Sequence, residues 1–283
     1  MIFILSSYIL IPSNCTWQSI PFENFTLRHP RLQALHGSQV LIDTTSLYDK
    51  LVTKHRGGCC YEMNGLMASV LQTCGFKLKP GAARVVREKA ASAVGDRDDE
   101  RAIDLLGHGH MILFVQVEDG SWWLEDVGFG GRCPEQPLPM VPYHAATAQG
   151  ARQSSEHGSD THRLRRGVPG STAIPAEQMQ ITDPYCCGWY LQAKTSRGFE
   201  DQYFFLEEER PLADYDSMNW YVSTHPDSFF RSNTLSAIQT PEGRVTLSNI
   251  TLTVHSSDGV AQTELKADSE LDSALTKYFG ICF

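Results

Sequence analysis

Two adjacent cysteines, Cys59 and Cys60, follow two glycines in the stretch RGGCCYEMNGLMASVLQTCGF, residues 56–76. The glycines permit a tight turn and close backbone approach, and the residues after them have helical spacing, so one cysteine falls at a helix N-terminus. Unpaired amides and the positive end of the helix dipole favour a thiolate there, the nucleophilic form of cysteine. The plainer reading is two thiols packed in a core, where free cysteine is common. A nucleophilic thiolate needs a histidine base, and the histidine needs a carboxylate to fix its tautomer and stabilise its charged form. Both stand at the ends of HMILFVQVEDGSWWLED, residues 110–126, where an antiparallel hairpin would bring His110 and Asp126 together. His108 competes with His110, because strand alternation puts both on one side. Glu125 competes with Asp126 from the opposite face, and spacing alone leaves the histidine open.

The elements that must position these groups can be read from the same pattern. Met63, Leu66, Met67, Val70, Leu71 and Cys74 recur at helical spacing, and Gly75 gives a C-terminal stop. Short apolar strands separated by turn residues follow, which puts a domain boundary near residue 84. The charged segment 88–109 reads as a long surface connection before a hairpin whose arms, HMILFVQV and SWWLEDV, flank a glycine-bearing turn. Residues 141–175 are rich in Gly, Ser, His, Gln and Arg, with a short strand at THRLRRGV; GWYLQAK and QYFFLE then resume strand character, fitting a small β-barrel or sandwich. Beyond residue 210 the pattern predicts a helix ending before Pro226, strands at LSAIQT and VTLSNITLTV, and a final helix in SELDSALTKYFGI.

Composition narrows the partners. The 283-residue chain has 24 basic and 33 acidic residues, a formal charge of −9, which argues against broad binding to nucleic-acid phosphates. Eight cysteines, four of them in two adjacent pairs, do not resemble a disulfide framework and fit a reducing, cytoplasmic compartment. No C-x-x-C or H-x-x-x-H spacing suggests a metal. The opening MIFILSSYILI is apolar but too short to span a bilayer and lacks the positive region of a secretory signal, so a buried strand or irregular leader is expected, with no membrane partner. Asn14, Asn24 and Asn249 begin N-x-S/T triplets, which matter only in a secreted chain.

Taken together, IPFEN (20–24), RGGCCYEMN (56–64), HMILFV (110–115), DVGFG (126–130) and SMNWYVSTHPDSFF (217–230) resemble the arylamine N-acetyltransferase family in content, order and spacing. The resemblance runs from about Ile20 to the C-terminus. It implies an α+β fold with a cysteine-protease-like core: an N-terminal helical domain (1–83) bearing the nucleophile, a central β-barrel (84–196) bearing His and Asp, and a C-terminal interdomain segment and α/β lid (197–283). It implies Cys60 as the acyl-accepting nucleophile, His110 as the triad histidine and Asp126 as the aspartate. Asn64 matches a position near the triad, Glu23 and Arg56 a supporting buried salt bridge, Gly107 a loop near the cofactor pyrophosphate, Phe129 a residue beside the acceptor ring, and Tyr221 a coenzyme A contact. Cys59 stands at a variable position that is often a bulky aromatic. The leader before Glu23 and the segments 84–110 and 141–175 depart from the family pattern.

The implied reaction is ping-pong acyl transfer from acetyl-CoA or malonyl-CoA, through a Cys60 thioester, to an arylamine, hydrazine or N-hydroxyarylamine. Nothing in the sequence selects between the two donors; a malonyl carboxylate needs a cation, for which Arg132 and Arg231 are candidates. A thiol hydrolase or amidase with the same three residues is the alternative from another class, and a non-catalytic binding protein with an unperturbed Cys60 thiol a third.

Overall fold

The structure is a computed structural model that describes residues 18–36, 38–88, 103–141, 162–169 and 187–282. Expectations for the apolar leader and for most of 141–175 fall outside these residues. Among the described residues the strands form two antiparallel sheets, and no helix is long and apolar enough to cross a membrane.

The N-terminal part is helical. Helices α1 (Phe25–Arg28), α2 (Pro30–His36) and α3 (Thr44–Leu47) lead through a π-helical turn, Tyr48–Thr53, to α4 (Cys60–Thr73). Met63, Leu66, Met67 and Leu71 of α4 are buried as their spacing predicts. Val70 and Cys74 are exposed, because they lie off the stripe that faces the core. The helix ends as expected, with Gly75 at φ 86° and Phe76 N–H donating to the Leu71 carbonyl at 3.0 Å.

Sheet one has the order β5-β4-β3-β2-β8-β7-β6: β2 (Lys77–Glu88), β3 (Ile103–Gln116), β4 (Trp122–Glu125), β5 (Leu138–Pro139), β6 (His162–Gly167), β7 (Gly188–Thr195) and β8 (Gly198–Phe205). Its two edges approach each other. Leu138 beside one edge and Leu164 on the other share a core with Ile112, Leu124, Leu191 and Phe205, and His162 Nε2 lies 3.1 Å from the Arg132 carbonyl oxygen. The sheet is therefore curled into a nearly closed barrel. Residue 84 lies inside β2, a single long strand, and residue 196 in the turn of the β7–β8 hairpin, whose arms belong to one sheet. Strand β3 starts at Ile103, seven residues before His110; glycines at 107 and 109 interrupt the apolar alternation that would have announced it.

Sheet two has the order β1-β9-β10-β11-β12, with β1 (Phe22–Glu23) from the N-terminal part pairing β9 (Leu235–Thr240). The expected strand VTLSNITLTV is two strands, β10 (Gly243–Ser248) and β11 (Thr251–Ser256), turning at Asn249 with φ 53°. The wholly exposed β12 (Gly259–Glu264) gives no apolar alternation to read. Helix α5 (Leu212–Thr224) ends before Pro226 as its pattern predicts, α6 (Phe229–Ser232) follows, and α7 (Asp268–Phe279) covers sheet two through Leu275 and Phe279.

Two features tie the parts together. Glu23 N–H donates to the Gly58 carbonyl at 3.0 Å and Gly58 N–H to the Pro21 carbonyl at 3.1 Å, so β1 is pinned between the glycine turn and sheet two. Buried Asn24 donates to the Phe230 and Asn233 carbonyls at 3.0 and 2.7 Å and accepts from Leu235 N–H at 2.7 Å. Its N-x-T triplet is thus consumed by structure.

Candidate active site

Cys60 is the first residue of α4, with Cys59 at the N-cap. Glu62 reaches back to accept from Cys59 N–H at 2.9 Å, satisfying one of the amides that a helix start leaves open. Opposite, the β2–β3 pairing matches Ala83 to His110 and Arg84 to His108, so one step on β2 spans two on β3 and Gly109 is the extra residue of a bulge. The bulge separates the two histidines that simple alternation could not. His110 is buried and turned to the cysteine, whose Sγ lies 3.8 Å from the Gly109 carbonyl oxygen, while His108 is only half-buried.

His110 Nε2 lies 2.7 Å from Asp126 Oδ2, which leaves Nδ1 to bond the Cys60 sulfur. Asp126 is held from several sides: Oδ1 accepts from Asn64 Nδ2 and from Gly128 N–H, both at 2.9 Å, and Oδ2 also accepts from Tyr203 Oη at 3.0 Å. Asn64 is fully used, donating also to the Met111 carbonyl at 2.8 Å and accepting from Val127 N–H at 3.0 Å. It thereby ties the helix that carries Cys60 to both arms of the hairpin. Gly128 sits where no side chain fits, since a Cβ there would come within 2.8 Å of the Cys60 Cα.

Burial alone would push the Cys60 thiol up. It is outweighed by hydrogen bonds from Cys59 and His110, the His110 charge and the Met111 amide, and the thiol falls to about 5. Burial pulls His110 down, but the Asp126 charge and hydrogen bond and the Cys60 sulfur raise it to about 10. Asp126, which burial would raise, is held below the usual carboxylate range by His110, Asn64 and Gly128. The site is thus a thiolate–imidazolium pair at neutral pH. Cys59 moves the other way: its bond to the Cys60 sulfur, then burial, hold it as a thiol.

Behind α4 lies a chain of buried charges. Arg56 Nη2 pairs with Glu23 Oε1 at 2.7 Å, Lys50 Nζ lies 3.8 Å from the same oxygen, and Lys50 Nζ pairs with Glu62 Oε1 at 2.6 Å. Two cations and two anions compensate one another, and the last carboxylate caps the helix that carries Cys60. Burial would lower Lys50, but Glu62 and Glu23 raise it, so it stays charged.

Cys60 and His110 open on a cleft of about 430 Å³ between the barrel and sheet two. Cys60, His110 and Phe129 line it with Phe22, Phe229 and Leu235, so its wall is largely apolar. The Phe129 ring lies 5.0 Å from both the His110 and Tyr203 rings. Arg87 stands on the same wall, exposed, while Arg132 pairs with Glu200 and Arg231 bonds the Leu27 carbonyl.

Cys60, His110, Asp126, Asn64 and Phe129 are therefore together, with Glu23 and Arg56 joined as a pair behind them. Gly107 and Tyr221 are not among the residues lining the cleft. Gly107 lies on β3 in open space, and Tyr221 is exposed on α5, stacked on His225 with ring centroids 4.5 Å apart. Sequence reasoning missed Tyr203, Lys50 and the capping role of Glu62. The third was legible in the spacing of Glu62 three residues after Cys59; the other two depend on contacts across 77 and 12 residues. Among the described residues no group of three or more His, Cys, Asp or Glu is placed to hold a metal ion.

Residues 14–283 match the family model described as N-acetyltransferase. The chain is 32% identical over 266 residues to an arylamine N-acetyltransferase of Mycobacterium tuberculosis, covering 93% of this chain and 78% of that protein. It is 29% identical over 282 residues to an N-malonyltransferase of Fusarium pseudograminearum, covering 93% and 75%. Among solved structures, the M. tuberculosis arylamine N-acetyltransferase superposes with a TM-score of 0.74 at 29% identity, covering 99% of this chain and 86% of that one. The Mycobacterium marinum enzyme in complex with CoA gives 0.73 at 26%, covering 99% and 87%.

Proposed function

Because this chain belongs to the arylamine N-acetyltransferase family, we propose that it is an acyl-CoA-dependent N-acyltransferase working through a thioester on Cys60. The observation that carries the reading is the buried Cys60 thiolate beside a His110 imidazolium fixed by Asp126, open to an apolar cleft. The thiolate attacks the carbonyl carbon of the acyl-CoA, the carbon–sulfur bond to coenzyme A breaks, and the leaving thiolate takes its proton from His110. An arylamine, hydrazine or N-hydroxyarylamine then attacks the acyl-enzyme. Neutral His110 accepts the amine's proton, and Cys60 leaves as a thiolate, ready for another turn.

The apolar wall supports an aromatic acceptor, with the edge and face of Phe129 available to its ring. We assign Gly107 and Tyr221 to coenzyme A binding by family resemblance alone, with the cofactor running outward along the mouth of the cleft. The three-part division into helical domain, barrel and lid, with a cysteine-protease-like core, is part of the same proposal, as is a cytoplasmic site of action.

A second reading, malonyl transfer, rests on Arg87 in the cleft wall, a cation for a distal carboxylate, together with the N-malonyltransferase relatives. One experiment tests both donors. Intact mass is measured after incubation with acetyl-CoA or malonyl-CoA and no amine. The expected result is one acyl group, lost in Cys60→Ala and discharged by an arylamine. No adduct from either donor on folded protein would overturn the transferase reading in favour of a hydrolase.

A further inference from the structure

Among the described residues, nothing lies across the last strand of sheet two. One edge of that sheet, β1, is closed by the bonds between Glu23 and Gly58, but the opposite edge, β12, has all 6 of its residues exposed. Its sequence, GVAQTE, contains no proline and no lysine to blunt the edge, and its register to β11 runs without a bulge. The phase of its hydrogen bonds follows from a rung just past its end. Leu265 N–H donates to the Ile250 carbonyl at 2.8 Å, and Thr263 with Leu252 and Ala261 with Val254 lie in step with that rung. Antiparallel ladders alternate, so Val260, Gln262 and Glu264 turn their N–H and C=O groups away from β11.

We propose that β12 pairs with β12 of a second copy of this chain, antiparallel about a two-fold axis through Gln262. Outward-facing residues must meet outward-facing residues, so the allowed registers differ by steps of two residues. With Gln262 opposite Gln262, Val260 meets Glu264 of the second copy. The exposed Asp258, in the β11–β12 turn, then meets the second copy's exposed Lys266, and symmetry makes that contact twice. A slide of one step toward the turn sets Asp258 against Glu264 twice, a like-charge opposition, and a slide the other way parts Asp258 from Lys266. Charge therefore selects the register in which all three outward residues exchange both backbone bonds, joining two five-stranded sheets into one. A single strand pair is well below the roughly 1,600 Å² of a standard stable interface, so the dimer is weak and concentration-dependent. No residue of β12 lines the cleft, and the proposal does not rest on acyl transfer.

The test is sedimentation velocity of the full chain from micromolar to millimolar concentration, with hydrogen–deuterium exchange at both ends of the range. The expected result is a reversible monomer–dimer equilibrium in which residues 260–264 slow their exchange only where the dimer forms. Lys266→Asp opposes like charges at both ends of the strand pair and should raise the dimer dissociation constant roughly 10-fold. Adding Asp258→Lys restores opposite charges and should recover the affinity of the parent. Gln262→Pro removes an N–H that the ladder to β11 does not use, and should give a monomer at every concentration. Thermal unfolding reports whether that variant keeps its fold, and the charge-swap pair decides the matter if it does not. A parent that stays monomeric at millimolar concentration, a dimer indifferent to Lys266→Asp, or a loss that Asp258→Lys fails to recover overturns the proposal.

Discussion

Asn64 grips Asp126 from the side opposite the histidine: its Nδ2 donates to Oδ1 at 2.9 Å while Oδ2 faces His110 Nε2 at 2.7 Å. Asn64 sits one turn after Cys60 on α4 and also bonds both arms of the hairpin, so one amide holds Cys60 and His110 in register. Asn64→Ala removes three hydrogen bonds at a fully buried position and leaves partners unsatisfied. The expected cost is about 2–3 kcal/mol of stability and roughly a 10- to 100-fold fall in kcat/KM. Thermal unfolding and steady-state kinetics check both; unchanged kinetics in a destabilised variant would reduce Asn64 to a packing residue.

The proton inventory of the site predicts a wide pH plateau. Cys60 is lowered to about 5 and His110 raised to about 10, so the reactive pair forms as pH rises through the first value and is lost as it rises through the second. The pair titrates as a unit, and the two limbs are its apparent values. Inactivation by iodoacetamide, followed against pH, should show the acid limb near 5. In His110→Ala that limb should move up toward the ordinary thiol range, because hydrogen bond and charge are lost together. A wild-type limb at the ordinary thiol value would contradict the thiolate–imidazolium description.

Much of this site was readable because its pieces are local. Cys60 at a helix start follows from two glycines and a helical stripe, and the His110–Asp126 encounter follows from a hairpin with a glycine turn. What could not be read depends on backbone irregularity and distance. The bulge at Gly109 decides between His108 and His110, and period-two alternation cannot reveal an added residue. Tyr203 and Lys50 reach the site through packing that leaves no local spacing. The start of β3 and the existence of β12 were hidden for the same reason, since neither shows a clean alternation of apolar and polar residues.

Tyr203 offers a test of how tightly the aspartate must be held. Its hydroxyl is one of two groups on Asp126 Oδ2, at 3.0 Å, and the ring also packs against His110 with centroids 5.0 Å apart. Tyr203→Phe keeps the ring and removes only the hydrogen bond to a charged acceptor, worth about 1.5–3 kcal/mol. A fall in kcat/KM of about tenfold, with a loss of several degrees in unfolding temperature, is the expected outcome. A fall in stability alone, with kinetics intact, would count against a positioning role.

The buried charges behind α4 make a different prediction, about stability first. Glu23 is 1% and Arg56 2% exposed, and among the described residues Arg56 Nε and Nη1 have no hydrogen-bond partner, so the guanidinium depends heavily on its carboxylate. Glu23→Gln leaves Arg56 and Lys50 facing Glu62 alone, at an expected cost of about 3–5 kcal/mol. That is a fall in Tm of roughly 10 °C. The double variant Glu23→Gln with Arg56→Met should lose less than the sum of the two single losses, because no unpaired charge remains buried. Additive losses would mean the two residues act independently.

Two glycines of the same neighbourhood should respond in opposite ways. A methyl at Gly128 would lie 2.8 Å from the Cys60 Cα and 2.9 Å from Asn64 Nδ2, neither of which can retreat without shifting α4. Gly128→Ala should therefore cost about 1–3 kcal/mol through overpacking and should impair acylation of Cys60 as the helix start moves. A methyl at Gly107 meets nothing within 4 Å, so Gly107→Ala should leave stability within about 0.5 kcal/mol of the parent. Its KM for acyl-CoA then reports on the cofactor alone. A raised KM at unchanged stability would support the place given to Gly107 beside coenzyme A, and an unchanged KM would remove it from the binding site.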